Sequence, residues 1–85
     1  MKHFTTPEFW ECYEQLPPKI RRLADENYAL LKSNPKHRSL RLKRVGQYWS
    51  ARAGLEYRAV AIQSGDDLLW FWIGPHDEYE RLISR

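Results

Sequence analysis

Apolar residues recur along this chain in two periods. From Phe9 to Leu31 they follow helical spacing, and from Leu40 to Ile73 they mostly alternate. The first helical stretch carries Phe9, Cys12, Tyr13 and Leu16. It opens at Thr6-Pro7-Glu8, where Thr6 can cap, Pro7 suits the first helical position and Glu8 suits the positive helix end. Pro17-Pro18 ends it, and Pro18 opens a second helix. There Ile20, Leu23, Ala24, Asn27, Leu30 and Leu31 form one stripe, and Asn34-Pro35 breaks the pattern. Two short helices with a tight joint predict a helical hairpin whose apolar faces need a sheet to cover them.

Beyond a loop at Lys36–Ser39 the period changes to two. Leu40–Val45 alternates, with Leu40 and Leu42 opposite Arg41 and Lys43. Gly46-Gln47 turns the chain into Tyr48–Arg52, where Trp49 and Ala51 oppose Tyr48, Ser50 and Arg52. Gly54 marks the next turn, and Tyr57–Gln63 follows as a strand. Ser64-Gly65-Asp66-Asp67 is the clearest turn signal in the chain. It feeds Leu68–Ile73, a run without charge. Alternation sets Leu68, Trp70 and Trp72 against Leu69, Phe71 and Ile73, which predicts a strand in mid-sheet covered on both faces. Gly74-Pro75 stops that run, and His76, Asp77, Glu78 and Tyr79 follow at once. Tyr79, Leu82 and Ile83 give the tail helical spacing. Lys2–Thr6 has room for no more than an edge strand. The expected architecture is α+β: a short N-terminal strand, a helical hairpin on one sheet face, a four-stranded antiparallel meander and a short C-terminal helix.

Composition sharpens this picture. A chain of 85 residues is read as one domain, 1–85. Four Trp, five Tyr and three Phe make a compact core feasible at this size. The single cysteine, Cys12, cannot form an internal disulfide. That favours a reducing compartment, so a cytoplasmic protein is expected, with Cys12 as a small core filler. No secretory signal is visible, and no apolar run approaches the ~20 residues that span a bilayer, so no membrane partner is expected.

The net charge of +3 conceals a segregation. Lys32–Arg58 holds eight basic side chains against Glu56 alone, and the rest of the chain is net acidic. A basic face predicts a polyanionic partner, with Lys36, Arg38, Arg41 and Arg44 as candidate RNA contacts. The bland alternative is a solvated surface. No Gly-rich phosphate loop, zinc spacing or nucleophile elbow is present. His76, Asp77 and Glu78 are adjacent and poorly placed to grip one metal, so neither a metal nor a small-molecule cofactor is expected.

What remains is Lys43, Arg52, Arg58, His76 and Tyr79 around a basic concavity. That set suits phosphodiester cleavage: a 2′-hydroxyl must lose a proton, the phosphorane needs cationic donors, and the leaving oxygen needs a proton. Arg52 and Arg58 could hold non-bridging oxygens, and His76 or Tyr79 could move protons or stack on a base. Structural alternatives stand beside these roles. Arg58 could pair with Glu56 or Asp77, Tyr79 could pack its ring under the sheet, and His76 could cap the last helix.

At Arg52-Ala-Gly-Leu-Glu-Tyr-Arg58 and Trp72-Ile-Gly-Pro-His-Asp-Glu-Tyr79 the sequence resembles the RelE/ParE superfamily of toxins from type II toxin–antitoxin systems. Length, element order, the Asn34-Pro35 helix exit and Leu40-Arg41-Leu42-Lys43 agree with it. The resemblance implies an endonuclease that cuts messenger RNA on the ribosome without metal and inhibits translation, neutralised by a cognate antitoxin. It places Arg58 at the scissile phosphate, Arg52 across the hairpin, Lys43 on the first meander strand, and His76 and Tyr79 among the C-terminal catalytic positions. Ser50 departs from the pattern, standing where the best-known RelE has lysine. The superfamily also contains ParE-type gyrase inhibitors, which are the alternative function, together with a toxin fold that binds without catalysis.

The hairpin register decides whether the two arginines meet. A two-residue loop at Gly54-Leu55 would send Arg58 to the face opposite Arg52. A three-residue loop, Gly54-Leu55-Glu56, pairs Arg52 with Arg58 on one face, and this register is the expectation.

Overall fold

The computed structural model describes residues 1–84. The chain runs β1 (His3–Thr5), α1 (Pro7–Glu14), α2 (Pro18–Ser33), a 3₁₀ turn (Arg38–Leu40), β2 (Lys43–Val45), β3 (Tyr48–Arg52), β4 (Tyr57–Ser64), β5 (Asp67–Pro75) and α3 (His76–Ile83). The strands form one sheet in the order β1-β5-β4-β3-β2. β2 to β5 are an antiparallel meander, and β1 adds to β5 in parallel as an edge. This is the α+β architecture that the hydrophobic pattern predicts.

Both helix starts follow from their sequences. Thr6 caps α1, its Oγ1 accepting from the Phe9 amide at 3.1 Å, with proline in the first turn. Pro18 opens α2, and the helix ends at Asn34. α1 stops at Glu14, a little before Pro17. The helices bury Phe9, Leu16, Ala24 and Leu31 against Ala51, Ala53, Ala61, Leu68, Trp70 and Ile73 on one sheet face, with Cys12 packed at the edge of that core. Asn27 is the polar member of the α2 stripe. Its amide donates to the Arg52 carbonyl at 2.9 Å, tying α2 to the end of β3.

Two elements depart from the sequence expectation. The first is β2. A strand expected over Leu40–Val45 forms only from Lys43, because Leu40 lies in the 3₁₀ turn and Arg41 takes a left-handed conformation with φ 45°. The turn buries Leu40 almost completely. His37 stabilises it, its Nδ1 accepting from the Ser39 amide at 3.2 Å.

The second departure is in β5. Val60 pairs with Trp72 and Ala61 with Trp70, so Phe71 is an extra residue, a β-bulge. Strict alternation would keep Trp70 and Trp72 together. The bulge instead puts Leu68, Trp70 and Ile73 on the helix-covered face. Trp72 then shares the opposite face with Val60 and Ser50, and Phe71 packs there against Tyr48 in a tilted arrangement at 6.0 Å between ring centroids. That face is covered only in part. α3 packs across its β4–β5 end, burying Val60 and Tyr79, while Ile62 and Phe4 stay open at 40% and 49% exposure.

β1 is fastened to β5 through a histidine. The Trp70 indole N–H donates to His3 Nδ1 at 3.1 Å, and the two rings stack. Burial, then the N-terminal charge, push the His3 pKa below its ordinary 6.5, against an opposing pull from Asp67. Its neutral form is the one that accepts from Trp70. Between the lowered pKa and 6.5 the unfolded chain binds more protons than the folded one, so stability rises with pH through that window. The contribution is complete above pH 6.5 and drains away as the pH falls below it. A thermal melt followed by tryptophan fluorescence should show this decline, and His3→Gln, which does not titrate, should flatten it. In the same assay Asn27→Ala should cost about 1 kcal/mol, the usual worth of one such hydrogen bond.

Candidate functional site

The site begins with a hairpin. The Ala53 amide donates to the Tyr57 carbonyl at 3.0 Å, and Arg52 pairs directly with Arg58. The loop is therefore the three-residue one, Gly54-Leu55-Glu56, with Gly54 at φ 90°. Directly paired residues point to the same face, so both guanidiniums stand on the side away from α1 and α2. Lys43 pairs with Ser50 on that same side. Arg41 joins them by another route, from the left-handed residue ahead of β2.

The opposite wall comes from α3. β5 runs through Gly74-Pro75 directly into the helix, and the His76 amide donates to the Glu56 carbonyl at 2.8 Å. That bond locks the start of α3 to the arginine hairpin. His76 and Tyr79 are then three residues apart on one helix face, with their rings 5.7 Å apart. The result is a pocket of about 110 Å³ lined by Arg41, Lys43, Ser50, Ala51, Arg52, Arg58, His76 and Tyr79. All five residues expected to carry chemistry lie around it.

Its electrostatics are one-sided. Four cations line the pocket and no carboxylate does. Among the described residues, neither Glu56 nor Asp77 forms an ion pair with Arg58. Instead Arg58 Nη1 donates to three carbonyls of its own hairpin, Tyr57 at 2.9 Å, Leu55 at 3.1 Å and Gly54 at 3.4 Å. This fixes the side chain and leaves no hydrogen bond recorded for Nε or Nη2 among the described residues. Burial first, and the neighbouring Arg52 next, pull the Arg58 pKa below its usual range; Tyr79 and Glu56 oppose that pull and Arg41 adds to it. Two guanidiniums held this way raise each other's energy, and an anion between them would relieve it.

The two α3 residues divide their roles. Tyr79 does pack its ring under the sheet, at 5% exposure. Its hydroxyl is accessible, makes no hydrogen bond among the described residues, and belongs to a residue that lines the pocket. His76 occupies the first position of α3 but makes no side-chain capping bond. Its Nδ1 lies 3.4 Å from the Glu80 carboxylate one turn on, which orients the ring.

The basic residues expected to contact RNA separate into two groups. Arg41 is part of the pocket. Lys36, Arg38 and Arg44 are exposed outside it, Arg44 donating from Nε to the Gly46 carbonyl at 3.1 Å. Sequence reasoning noted Ser50 only as a departure from the RelE pattern, and it missed Glu80. Ser50 is a buried polar residue on the pocket floor, at 2% exposure, and its alternation with Arg52 was the available signal. Glu80 could have been found from its spacing of four from His76. No three His, Cys, Asp or Glu side chains among the described residues cluster closely enough to hold a metal ion.

No protein-family model matches the sequence, and no curated protein matches it. Solved structures do resemble it. A YoeB/ParE toxin from Agrobacterium tumefaciens is 22% identical, with a TM-score of 0.65 over 89% of this chain and 99% of that one. A RelB–RelE antitoxin–toxin complex from Methanococcus jannaschii gives a TM-score of 0.71 at 17% identity, over 93% of this chain and 96% of that one. YafQ from E. coli gives 0.67 at 10% identity, over 92% and 96% of the two chains. From the parallel edge strand to the helix that closes the pocket, this chain has the fold of the RelE/ParE toxin superfamily.

Proposed function

We propose that this chain is the toxin of a type II toxin–antitoxin module and acts in the cytoplasm as an endoribonuclease on ribosome-bound messenger RNA. The observation that carries the reading is the pocket itself: four cations without a carboxylate, facing one imidazole and one phenol. Such a lining is suited to an anion that must exchange protons. The likeness to toxin structures supports the same reading at the level of the fold.

In this reading the scissile phosphate sits between Arg52 and Arg58, its non-bridging oxygens taking the donors that the hairpin carbonyls leave unused. The 2′-hydroxyl attacks phosphorus and gives up its proton, the bond to the 5′-oxygen breaks, and that oxygen receives a proton. The products are a 2′,3′-cyclic phosphate and a 5′-hydroxyl. His76, steadied by Glu80, and Tyr79 carry the two proton transfers. Arg41 and Lys43 offset charge as it builds on the phosphorane. The mutual repulsion of the arginines becomes useful here, because it is relieved most when the bound group is most negative.

An antitoxin is the expected protein partner. An apolar segment of it would lie over exposed hydrophobic residues, and an acidic stretch would cover Lys36–Arg44. Co-expression with the cognate antitoxin should raise soluble yield and abolish growth arrest. Harmless accumulation of the protein without any partner would remove the toxin reading.

Programmed ribosomes incubated with the protein should yield discrete message ends by primer extension, and a 2′-deoxy substitution at the cut site should abolish them. Intact message alongside growth arrest would favour gyrase inhibition, which a supercoiling assay reads directly. Two variants separate chemistry from folding. Tyr79→Phe keeps the buried ring and should lower the cleavage rate about 10²-fold or more while leaving the melting temperature in place. Arg52→Gln should lower cleavage by about 10²–10³-fold, yet hold or raise the melting temperature by removing the repulsion. Arg58→Ala is the less informative probe, since it also releases the three carbonyls of the hairpin.

A further inference from the structure

The sheet face that carries the pocket does not end at it. Along β3, Arg52, Ser50 and Tyr48 point the same way, so Tyr48 stands two residues, about 6.8 Å, beyond the pocket floor. Tyr48 starts a cross-strand row that continues through Ile62 and Leu69 to Phe4, each directly paired with the next. α3 covers the pocket end of the face and leaves this row open, with Ile62 at 40% and Phe4 at 49% exposure. Alternation from Leu69 sets Phe71 on this face, and the β5 bulge brings Trp72 to it as well. Phe71 is the extra residue, and its ring packs against that of Tyr48, tilted by 47° with the centroids 6.0 Å apart. Bulges that re-aim a side chain are concentrated beside active sites.

Charge selects what could lie on this surface. On β2, Lys43 pairs with Ser50 on this same face, two residues along the strand from Val45, the partner of Tyr48, and no ion pair among the described residues neutralises it. An apolar strip alone would fit a protein helix. Aromatic rings that run on from a cationic pocket, with Lys43 at the junction, fit a single strand of nucleic acid, with bases on the rings and phosphates at the cations.

We propose that the Tyr48–Phe71 pair is a nucleobase-stacking subsite, which holds a base next to the scissile phosphate of single-stranded RNA. The proposal rests on the ribonuclease reading and adds where the substrate strand runs: out of the pocket past Ser50 and over the open half of the sheet. Stacking accepts any base, so this subsite contributes binding and strand direction, with no choice of base.

The test uses the whole chain and a hexanucleotide of 2′-O-methyl RNA, which lacks the attacking hydroxyl and stays intact. Aromatic NMR resonances of Tyr48 and Phe71 should shift on titration. Tyr48→Leu, which keeps apolar bulk but removes the ring, should weaken binding about tenfold, and Tyr48→Phe should bind as the wild type does. The salt dependence should be unchanged in Tyr48→Leu and shallower by about one ion in Lys43→Ala. Rings that do not shift, or a Tyr48→Leu variant that binds like the wild type, would overturn the proposal and leave the apolar row to a protein partner. A parallel cleavage assay on programmed ribosomes keeps the two readings apart. Cleavage that is indifferent to Tyr48→Leu removes the stacking subsite and spares the nuclease. A hexanucleotide that stacks beside uncut message removes the nuclease and spares the subsite.

Discussion

Everything in this fold turns on β5 having to serve two cores. It lies between β1 and β4 and presents large side chains to both faces. A strand of strict alternation would set three bulky residues on each side at even spacing. The helices α1 and α2 need Leu68, Trp70 and Ile73, whereas the other face takes Trp72 beside Val60 and Gly74 beside Arg58. The Phe71 bulge reconciles the two demands by shifting the phase once. Past it, the Trp72 indole folds along the strand over Gly74, where a Cβ would come within 2.6 Å of the ring. Glycine is required at that point so that the tryptophan can lie flat and the chain can pass into α3. The placement of His76 and Tyr79 is thus a consequence of how β5 resolves its packing.

The elements most visible in the sequence are those set by local chemistry. Thr6-Pro7, Pro18 and Asn34 fix helix ends through caps and missing donors, which act within a few residues. Gly46-Gln47 and Gly65-Asp66 fix two hairpins by φ, and Gly54 fixes the third. Because those turns define the pairing, the meeting of Arg52 with Arg58 could be read from loop length alone. Two features could not be. The Phe71 bulge has no local signal, since each residue of Leu68–Ile73 suits a strand on either face; only the competition between packed elements decides the phase. The 3₁₀ turn at Arg38–Leu40 was hidden for a similar reason. Leu40-Arg41-Leu42-Lys43 alternates perfectly well, and the burial of Leu40 outweighs the strand it could have continued.

The site was legible as a set of residues and less so as an arrangement. Charge segregation pointed to Arg41, Lys43, Arg52 and Arg58, but could not separate Arg41, which enters the pocket, from Lys36, Arg38 and Arg44, which stay outside. That division depends on a single left-handed residue. The structural reading of Tyr79 holds, its ring being buried under the sheet, and the same residue lines the pocket. Arg58 braces its own hairpin with one nitrogen and also lines the pocket.

That bracing has a consequence for fidelity. The pocket draws on a turn, two paired strands and a helix far apart in sequence, and their alignment passes through one three-residue loop. If β4 slipped by a single position against β3, Arg58 would face α2, its contacts with the loop carbonyls would be lost, and the His76 amide would miss Glu56. A misregistered chain would therefore lack the pocket as well as the bonds that hold the hairpin. The geometry works as a combination lock: every neighbouring alignment leaves it shut, and the one that opens it is also the one that holds the hairpin together.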